Sequence, residues 1–456
     1  MTSTPSTVPE DHGSRPPKNL PLRVIWSYTL SRVGLSIMGV MFGVYFMKYA
    51  TDVLLIAPAV MGTLLAAARL WDGVTDPLVG YLSDRTRSRF GRRRIWMYAS
   101  ALPVGIGTVM IWAPPVDLSG ALLVGWMVLA LLVYETASTA FLIPHGALGM
   151  ELTPGYHERT RLFGYVHMIG FIGSVLGMAT LQVMNMVEDK RAFAFDLSLV
   201  AGVIVMATIF LTTRALPEKA EHQGRGSSNV FKSFFDVFRN PHARVLLVVF
   251  GVETYGLASV FTLTPYLVAY VFPLEALLVA VMLTYALPQV LFTPVWMWLA
   301  GRFGKQRVWT TALLCASVPF VGFYLLESPG ITFWVLTFIT GFLAGCGAVL
   351  QPAIQADVID YDELKTAERK EGAYLAVWNL IRKCSASLCA LITGLVLQAS
   401  GFEPNMVQSE DTRDAIKAIF GLLPAACYFL GGLLFTTFSF NEAEHAAART
   451  ELDLRT

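Results

Sequence analysis

Long apolar runs recur along the whole of this 456-residue chain, and they constrain its fold more than any other feature. About 20 consecutive apolar residues carry a helix across a bilayer, and the bilayer core admits only helices or closed barrels. A mean hydropathy of +0.55 and a charged fraction of 15% agree with this pattern. The sequence therefore predicts an all-α membrane protein with twelve transmembrane helices, near residues 24–49, 55–83, 94–114, 120–151, 159–186, 193–215, 243–272, 274–301, 306–326, 330–361, 371–400 and 413–438.

Composition argues against other classes of protein. The formal net charge is +1, so no basic field suggests a nucleic-acid partner. No nucleophile–base pair, phosphate-binding loop or metal-ligand spacing stands out, and we expect neither enzyme activity nor an organic cofactor. The cysteines lack ligand spacing and all lie within apolar segments, which is typical of small core residues: Cys315, Cys346, Cys384, Cys389 and Cys427.

A polar stretch at 217–242 separates two sets of six runs. We predict a six-helix bundle at 23–216, a cytoplasmic linker at 217–242, a second bundle at 243–440, and cytoplasmic tails at 1–22, which we expect to be disordered, and 441–456. Of the 34 lysines and arginines, 25 lie in the tails, the linker and the loops on the same side, whereas the opposite loops hold four. Loops rich in Lys and Arg stay in the cytoplasm, so we predict an inner-membrane protein with both termini cytoplasmic.

The two halves also repeat each other. The loop after the second run reads RFGRRRIW from Arg89, and the loop after the eighth reads RFGKQRVW from Arg302, an offset of 213 residues. A second pair of sites, Arg161-x-x-Gly164 and Arg369-x-x-Gly372, has an offset of 208 residues. Matching loops at equivalent positions indicate a parallel duplication, which is typical of transporters that bind substrate between their halves.

Two carboxylates lie within the second apolar run. Asp72 and Asp76 are four residues apart and so share one helix face, and Arg69 lies one turn before Asp72. A carboxylate inside the membrane is costly unless it has a partner. Two close carboxylates repel, so one holds a proton or both share a cation. Thr75 and Thr139 offer neutral oxygens that suit Na⁺. The alternative is a structural ion pair with Arg69 or Lys383.

Several motifs resemble one family. The loop at residues 80–94 resembles the signature loop of the major facilitator superfamily. The blocks 71–80 (WDGVTDPLVG), 143–152 (IPHGALGMEL) with 156–161 (YHERTR), and 356–366 (ADVIDYDELKT) with 369–372 (RKEG) are similar to the glycoside–pentoside–hexuronide:cation symporters, the group of the melibiose carrier. Eukaryotic lysophospholipid symporters are distant relatives of that group. The resemblance covers residues from about 23 to 440 and implies alternating access coupled to Na⁺ or H⁺.

The resemblance implies a role for individual residues. Lys383 resembles the intramembrane lysine that the family places opposite the acids of the second helix. The implied cation site, with Na⁺ as one candidate ion at Asp72 and Asp76, comprises Asp72, Thr75, Asp76, Thr139 and Lys383, with Arg69 as a charge partner. The implied cytoplasmic gate comprises Asp84, Arg92, Arg159, Arg302, Asp357, Asp360 and Arg369, for which a solvated rim of scattered ion pairs is the alternative.

The sugar half of the family pattern departs from the expected residues. Sugar carriers hold hydroxyls with acids on their first and fourth helices, where this chain has Ser36 and Leu142, and an arginine of the fifth helix is replaced by His167. Losing both carboxylates suggests a different solute or a differently built pocket. We predict that the substrate cavity includes Ser36, Tyr134, Glu135, Leu142, His167, Trp378 and Asn379.

The sequence as a whole predicts a cation-coupled symporter. We expect Na⁺ or H⁺ to drive uptake of a small organic solute, of the sugar class by resemblance, through a chain that works as a monomer in the bilayer. A second hypothesis keeps the fold and the ion but carries an amphiphile such as a lysophospholipid. A third, a membrane sensor or scaffold that does not transport, is less well supported because the cation site is retained.

Overall fold

The computed structural model describes residues 20–152, 156–218, 237–366 and 371–438. Within these ranges the side chains at 150, 156, 157, 159, 160, 366 and 371–373 are not described. The predicted tails, apart from residues 20–22, and most of the predicted linker lie outside the described residues.

The described residues form twelve long helices and no strand. The first half contains α1 (Leu22–Asp52), α2 (Pro58–Arg85), α3 (Arg94–Trp112), α4 (Gly120–Glu151), α5 (Tyr156–Met186) and α6 (Lys190–Ala215). After a 3₁₀ turn (Val237–Arg239), the second half contains α7 (Pro241–Val271), α8 (Glu275–Leu291, continued by Thr293–Phe303), α9 (Lys305–Leu325), α10 (Ile331–Thr366), α11 (Glu371–Ala399) and α12 (Glu410–Phe435).

Ten of these helices are long and apolar enough to cross a membrane, and α8 makes an eleventh as one bent span. The bend in α8 is 45°, and the second residue of the segment after it is Pro294, whose ring nitrogen has no N–H to continue the preceding helical hydrogen bonds. Helix α2 falls outside that set and carries Arg69, Asp72 and Asp76. At 28 residues it is nevertheless long enough to span a bilayer.

Both halves use the same helix pairings. In the first half α1 packs on α5 and α6, α3 packs on α4 and α6, and α2 packs on α4. In the second half α7 packs on α11 and α12, α9 packs on α10 and α12, and α8 packs on α10. Each of these five pairings in the first half therefore has a counterpart six helices later, in agreement with the repeated loops.

The two halves meet chiefly where α2 crosses α11, and also where α1 meets α7 and α5 meets α8. Helix α2 approaches α11 closely at Gly62, where an added Cβ would lie 2.6 Å from the Ala390 carbonyl oxygen. On the facing helix, a Cβ at Gly394 would overlap the carbonyl oxygen of Pro58. Glycine at both positions lets the two backbones touch, as small residues do between membrane helices.

The ends of the bundle differ in charge and in contacts. The loops after the odd-numbered helices lie at the end that contains Asp52, called here the Asp52 end. The loops after the even-numbered helices lie at the opposite end, called the Arg92 end. The basic residues predicted to face the cytoplasm are those of the Arg92 end.

Candidate cation site between the two halves

A group of charged and polar side chains joins α2 to α4 and α11 in the middle of the bundle. It is called here the central cluster and consists of Arg69, Asp72, Asp76, Glu135, Thr139 and Lys383. Asp72 and Asp76 are one helical turn apart on α2, and Glu135 and Thr139 are one turn apart on α4, so each pair lies on one face of its helix. Lys383 comes from the other half of the molecule.

Lys383 bridges the two acids of α2. Its Nζ lies 2.6 Å from Asp76 Oδ2 and 3.2 Å from Asp72 Oδ2. The other oxygen of Asp76, Oδ1, accepts a hydrogen bond of 2.9 Å from the Thr139 hydroxyl. An ion pair between residues 307 positions apart in sequence therefore links α2 of the first half to α11 of the second.

Arg69 contacts the same oxygen of Asp72 as Lys383 does. Its Nη1 lies 3.0 Å from Asp72 Oδ2 and 3.0 Å from Glu135 Oε1. The guanidinium also lies 5.6 Å from the centre of the Phe42 ring, within the range of a cation–π contact. Glu135, which we predicted to line the substrate cavity, joins the ion cluster through this contact.

The central cluster is short of positive charge and of hydrogen bonds. Three carboxylates face two basic groups, so the fully ionised cluster has a net charge of −1. Asp72 Oδ1 and Thr75 Oγ1 are buried and have no hydrogen-bond partner in the described part of the chain. A buried carboxylate oxygen without a partner is costly, and oxygens of this kind, three residues apart on α2, are suited to a small hard cation or a proton.

The basic groups of the central cluster keep its acids apart. Among the described residues, no three His, Cys, Asp or Glu side chains converge on one point as metal ligands do. Lys383 and Arg69 lie between the carboxylates and separate them. A cation between Asp72 and Asp76 would therefore have to take the place of the Lys383 ammonium group.

A second ion cluster joins the halves at the Asp52 end. It is called here the Asp52 cluster and consists of Lys48, Thr51, Asp52, Tyr266, Tyr270, Glu275 and Asn405. Lys48 lies 3.0 Å from Asp52 and 2.9 Å from Glu275. The Tyr270 hydroxyl donates a 2.5 Å hydrogen bond to Asp52 Oδ2, and the Asn405 side chain donates one of 2.7 Å to the Asp52 carbonyl oxygen.

The Asp52 cluster closes this end of the molecule. Lys48, Thr51 and Asp52 belong to the first half, and their partners belong to α7, α8 and the loop before α12. The Lys48 and Asp52 side chains are each only 4% exposed. Sequence reasoning did not select these residues, although the spacing of Lys48 and Asp52 is that of a helical ion pair.

The predicted gate residues of the first half lie at the Arg92 end. Asp84 pairs with Arg93 at 2.9 Å, and Arg92 pairs with Glu151 at 2.5 Å. Glu218, beyond the end of α6, accepts hydrogen bonds of 3.1 and 3.2 Å from the backbone N–H groups of Arg93 and Arg94. These contacts tie α2, α3, α4 and α6 together within one half.

The predicted gate residues of the second half are placed only in part. Asp357 pairs with Lys305 at 2.6 Å, and Asp360 lies one turn further along α10. Arg302 is exposed, with its guanidinium over the rings of Trp298 and Phe303. The backbone of Arg159 belongs to α5, but its side chain and the whole of Arg369 lie outside the described residues.

Of the predicted cavity residues, three are exposed and two are partly buried by packing. Leu142 is exposed on the face of α4 that carries Thr139, and His167 and Asn379 are also exposed. Tyr134 is half-buried, with its ring 5.9 Å from that of Phe42. Ser36 packs against Gly170 and Gly173 of α5.

Trp378 is the clearest departure from the predicted cavity. It is buried with its ring 5.5 Å from that of Tyr374, and so it contributes to the packing of the second half rather than to an accessible wall. A single sequence predicts the depth of a residue in a helix but not the face on which it lies when most faces are apolar.

Comparison with known proteins settles the family. The family described as MFS/sugar transport protein matches residues 27–442. The chain belongs to this family. It is a membrane transporter of the major facilitator superfamily, and the predicted resemblance to the glycoside–pentoside–hexuronide:cation symporters is confirmed.

Relatives of this transporter carry different solutes. The chain is 27% identical over 405 residues to the inner membrane symporter YicJ of Escherichia coli (strain K12), covering 86% of this chain and 85% of that protein. It is 26% identical to the isoprimeverose transporter of Lactiplantibacillus pentosus, covering 92% and 89%. It is 22% identical to the sodium-dependent lysophosphatidylcholine symporter 1-A of Danio rerio, covering 94% and 88%.

Solved structures agree on the fold. The crystal structure of the nucleoside transporter NupG superposes with a TM-score of 0.65 at 15% identity, covering 91% of this chain and 99% of that one. At this identity the likeness concerns the architecture alone. The predicted major facilitator fold, all-α with two six-helix bundles, is confirmed.

Proposed function

We propose that this transporter is a symporter that couples entry of Na⁺ or H⁺ to uptake of a small solute of the sugar class. The bond between Lys383 of the second half and Asp76 of the first carries the proposal, because it links the state of the acids to the relative position of the halves. The relatives named as symporters support the coupling to a cation, and the isoprimeverose transporter supports a sugar as the solute.

Coupling follows from competition at the central cluster. A cation bound between Asp72 and Asp76 takes over the charge that Lys383 otherwise neutralises, and it supplies a partner for Asp72 Oδ1. Lys383 is then free to leave α2, so the cation favours one arrangement of the halves over the other. A ligand shifts a conformational equilibrium only through such a difference in affinity between the two states.

The observed conformation fits one stage of the transport cycle. By the distribution of Lys and Arg, the Asp52 end faces outward and the Arg92 end faces the cytoplasm, with the chain in the plasma membrane. The Asp52 cluster closes the outward end, while Asp76 and Lys383 keep 24% and 26% of their side chains exposed. We infer a state in which the ion site is reached from the cytoplasm.

The ion site can be tested without knowing the solute. The purified chain is unfolded by heat in NaCl and in choline chloride, and over a range of pH. A ligand present at 100 times its dissociation constant stabilises the protein that binds it by about 2.7 kcal/mol. We expect the ion response to disappear in Asp76→Asn and Asp72→Asn and to persist in Asp117→Asn, which removes an exposed carboxylate outside the helices. An unchanged ion response in both helix variants would refute the site.

The lysophospholipid hypothesis is the second candidate, and it is supported by the relative from Danio rerio. A panel of neutral glycosides and lysophosphatidylcholine, each with and without the ion identified above, separates the two. The compound whose stabilisation grows with the ion identifies the class of solute.

A further inference from the structure

Glu253 of α7 is an intramembrane acid that the central cluster does not use. Its Oε1 accepts a hydrogen bond of 3.4 Å from the indole N–H of Trp309 on α9. Its Oε2 is buried and has no hydrogen-bond partner among the described residues, and within the same residues Glu253 enters no ion pair. An ionisable side chain inside a membrane span is costly and therefore indicates a functional site.

A glycine of α10 makes room for this carboxyl group. A Cβ added at Gly347 would overlap Oε1 and the carboxyl carbon of Glu253 and would lie 2.7 Å from Oε2. The carboxyl group therefore lies against the backbone of α10, in a space that exists because residue 347 has no side chain. Any larger residue there would have to displace the carboxyl group, so the packing of the second half is built around it.

The groups that surround the carboxyl group are neutral. The Tyr428 hydroxyl donates a hydrogen bond of 3.4 Å to the backbone carbonyl oxygen of Glu253. On α7 itself the nearest basic residue in sequence, Arg244, lies more than two turns before Glu253. The titratable side chains that face Glu253 from the neighbouring helices are hydroxyl and thiol groups: Tyr285 of α8, Cys346 of α10 and Tyr428 of α12.

Basic groups on the two other helices that pack on α7 have partners elsewhere. The pairs are Lys383 and Arg382 of α11 with Asp76 and Asn379, and Lys48 of α1 with Asp52. Within the described residues, no cation therefore compensates a negative charge on Glu253.

The first half shows what the tryptophan at this position requires. The repeated loops place Trp96 where the second half has Trp309, and the Trp96 indole donates a hydrogen bond of 2.9 Å to the Thr86 hydroxyl. A neutral hydroxyl thus satisfies the corresponding indole in the other half. A carboxylate costs far more to bury than a hydroxyl, so the second half contains an acid that its tryptophan does not need.

The surroundings favour a proton over a metal cation at Glu253. An unpaired carboxylate in an apolar interior is strongly disfavoured, and it takes up a proton or a cation instead. A hard cation requires several oxygen ligands, whereas the titratable groups that face Glu253 include no second carboxylate. A proton needs a single oxygen, and Oε2 is unpartnered within the described residues.

We propose that Glu253, seated on Gly347, is a proton-binding site of the second half, separate from the central cluster. The carboxyl group holds its proton in the observed conformation, so that no charge lies against α10. When the proton passes to water, the carboxylate has to leave Gly347 to become hydrated, which loosens α7 from α9 and α10. The site gives the transporter a response to pH whichever ion the central cluster binds, and so it goes beyond the proposed function.

The first test follows stability with pH. The unfolded chain exposes Glu253 to water, where a glutamate ionises near about pH 4.3. Since the folded chain keeps the proton and the unfolded chain loses it, rising pH favours unfolding by up to about tenfold in the equilibrium constant per pH unit through this group. The unfolding temperature of the full chain is measured between about pH 5 and 8.

Two variants isolate the contribution of Glu253 to this profile. Glu253→Gln cannot ionise, so it should lose less stability than the wild type as the pH rises. Glu327→Gln removes an exposed carboxylate in the loop between α9 and α10 and should follow the wild type. A Glu253→Gln profile parallel to that of the wild type would overturn the proton site.

Infrared spectroscopy detects the proton directly. In the wild type, produced with isotopically labelled glutamate, we expect the band of a protonated glutamate carboxyl group at neutral pH, and Glu253→Gln should lose it. The wild-type measurement remains decisive even if Glu253→Gln fails to fold, because absence of the labelled band there overturns the proposal. Persistence of the whole band in a folded Glu253→Gln variant would overturn it as well.

Substitutions at Gly347 test the seat of the carboxyl group. Gly347→Ala should lower the unfolding temperature, because its methyl group collides with Glu253. The double variant with Glu253→Ala should recover most of that loss, since the colliding group is gone. Gly301→Ala, which adds a methyl group in open space on α8, should have no effect. Equal losses from Gly347→Ala in the two backgrounds would refute the seat.

The outcomes separate this inference from the proposed function. Glu253→Gln should keep the thermal response to the coupling ion, which depends on Asp72 and Asp76. Loss of that response in Glu253→Gln would show that the two sites are not separate and would overturn the inference. Absence of the ion response from the wild type would instead contradict the proposed function, while the pH profile and the infrared band would still decide the proton site.

Discussion

The central cluster and the Asp52 cluster both join the two halves through a lysine and two carboxylates, yet they differ in how completely their groups are paired. In the Asp52 cluster the carboxylate in excess belongs to Glu275, which is 39% exposed and lies 3.8 Å from Lys190, and within the described residues no buried side-chain atom of the cluster lacks a partner. Over the same part of the chain, the central cluster has one carboxylate in excess and an unpaired Asp72 oxygen.

This difference indicates different roles. A fully satisfied buried network stabilises the one arrangement in which it forms, since breaking it leaves buried charges without partners. A network short of one positive charge can accept a cation. We therefore interpret the Asp52 cluster as a closure of the outward end and the central cluster as the exchangeable ion site that controls it.

The largest effect is expected from Lys383→Gln. Removing one partner of a buried ion pair costs about 3–5 kcal/mol, and the partial exposure of Lys383 and Asp76 argues for the lower end of that range. The variant should unfold at a lower temperature without the coupling ion, and the ion should restore more stability than in the wild type, because it no longer competes with an ammonium group. An equal loss with and without the ion would contradict the competition.

A conformational effect is expected from Lys48→Gln. The variant leaves Asp52 and Glu275 without their cation when the Asp52 end is closed, and opening that end hydrates both acids. We expect the open population to rise by at least about 10-fold. The measurement is a spin-label distance between Glu188 and Val407, which lie in loops of opposite halves at that end.

Lys190→Gln is the matched control for this experiment. Lys190 lies 3.8 Å from Glu275, and the two side chains are 25% and 39% exposed. Exposed pairs contribute less than about 1 kcal/mol, so its distance distribution should match the wild type. A Lys48→Gln distribution that also matches would show that the Asp52 cluster does not hold the halves together.

A smaller effect is expected from Gly394→Ala. The added methyl group meets the Pro58 backbone where α2 crosses α11, and overpacking of this kind costs about 1–3 kcal/mol. The same spin-label distance should shift toward the open state, by less than in Lys48→Gln. Gly125→Ala places a methyl group in open space on α4 and should leave the distance unchanged. Equal distances in the two alanine variants would show that the crossing does not limit closure.

Some of the site follows from sequence because it is local. Asp72 and Asp76 share a helix face through their spacing of four, and their cost inside a membrane marks them without any alignment. Other parts depend on distant residues. Glu135 was visible as an intramembrane acid, but its partner Arg69 lies 66 positions earlier on another helix, so we assigned it to the substrate cavity.

The Asp52 cluster shows the same limit more strongly. Lys48 and Asp52 form a recognisable i, i+4 pair, but Glu275 lies 227 positions from Lys48. Trp378 illustrates a second limit, since its depth in α11 was apparent from sequence but its burial against Tyr374 was not. Helical rotation is set by packing with neighbours, and an apolar helix gives little sign of that rotation in its own pattern.

The sequence by itself determined the membrane-spanning helices, the division into two related halves, the family and the acids of α2. These are properties of short segments in contact with lipid, because each span must be apolar and each buried charge is costly wherever its partner lies. The tertiary structure alone decided which charges of the described residues meet: Lys383 with Asp76, Arg69 with Glu135, Lys48 with Glu275, and Arg32 and Arg382 with no acid in those ranges. Pairing depends on the depth and rotation of helices from different parts of the chain, which only their packing fixes.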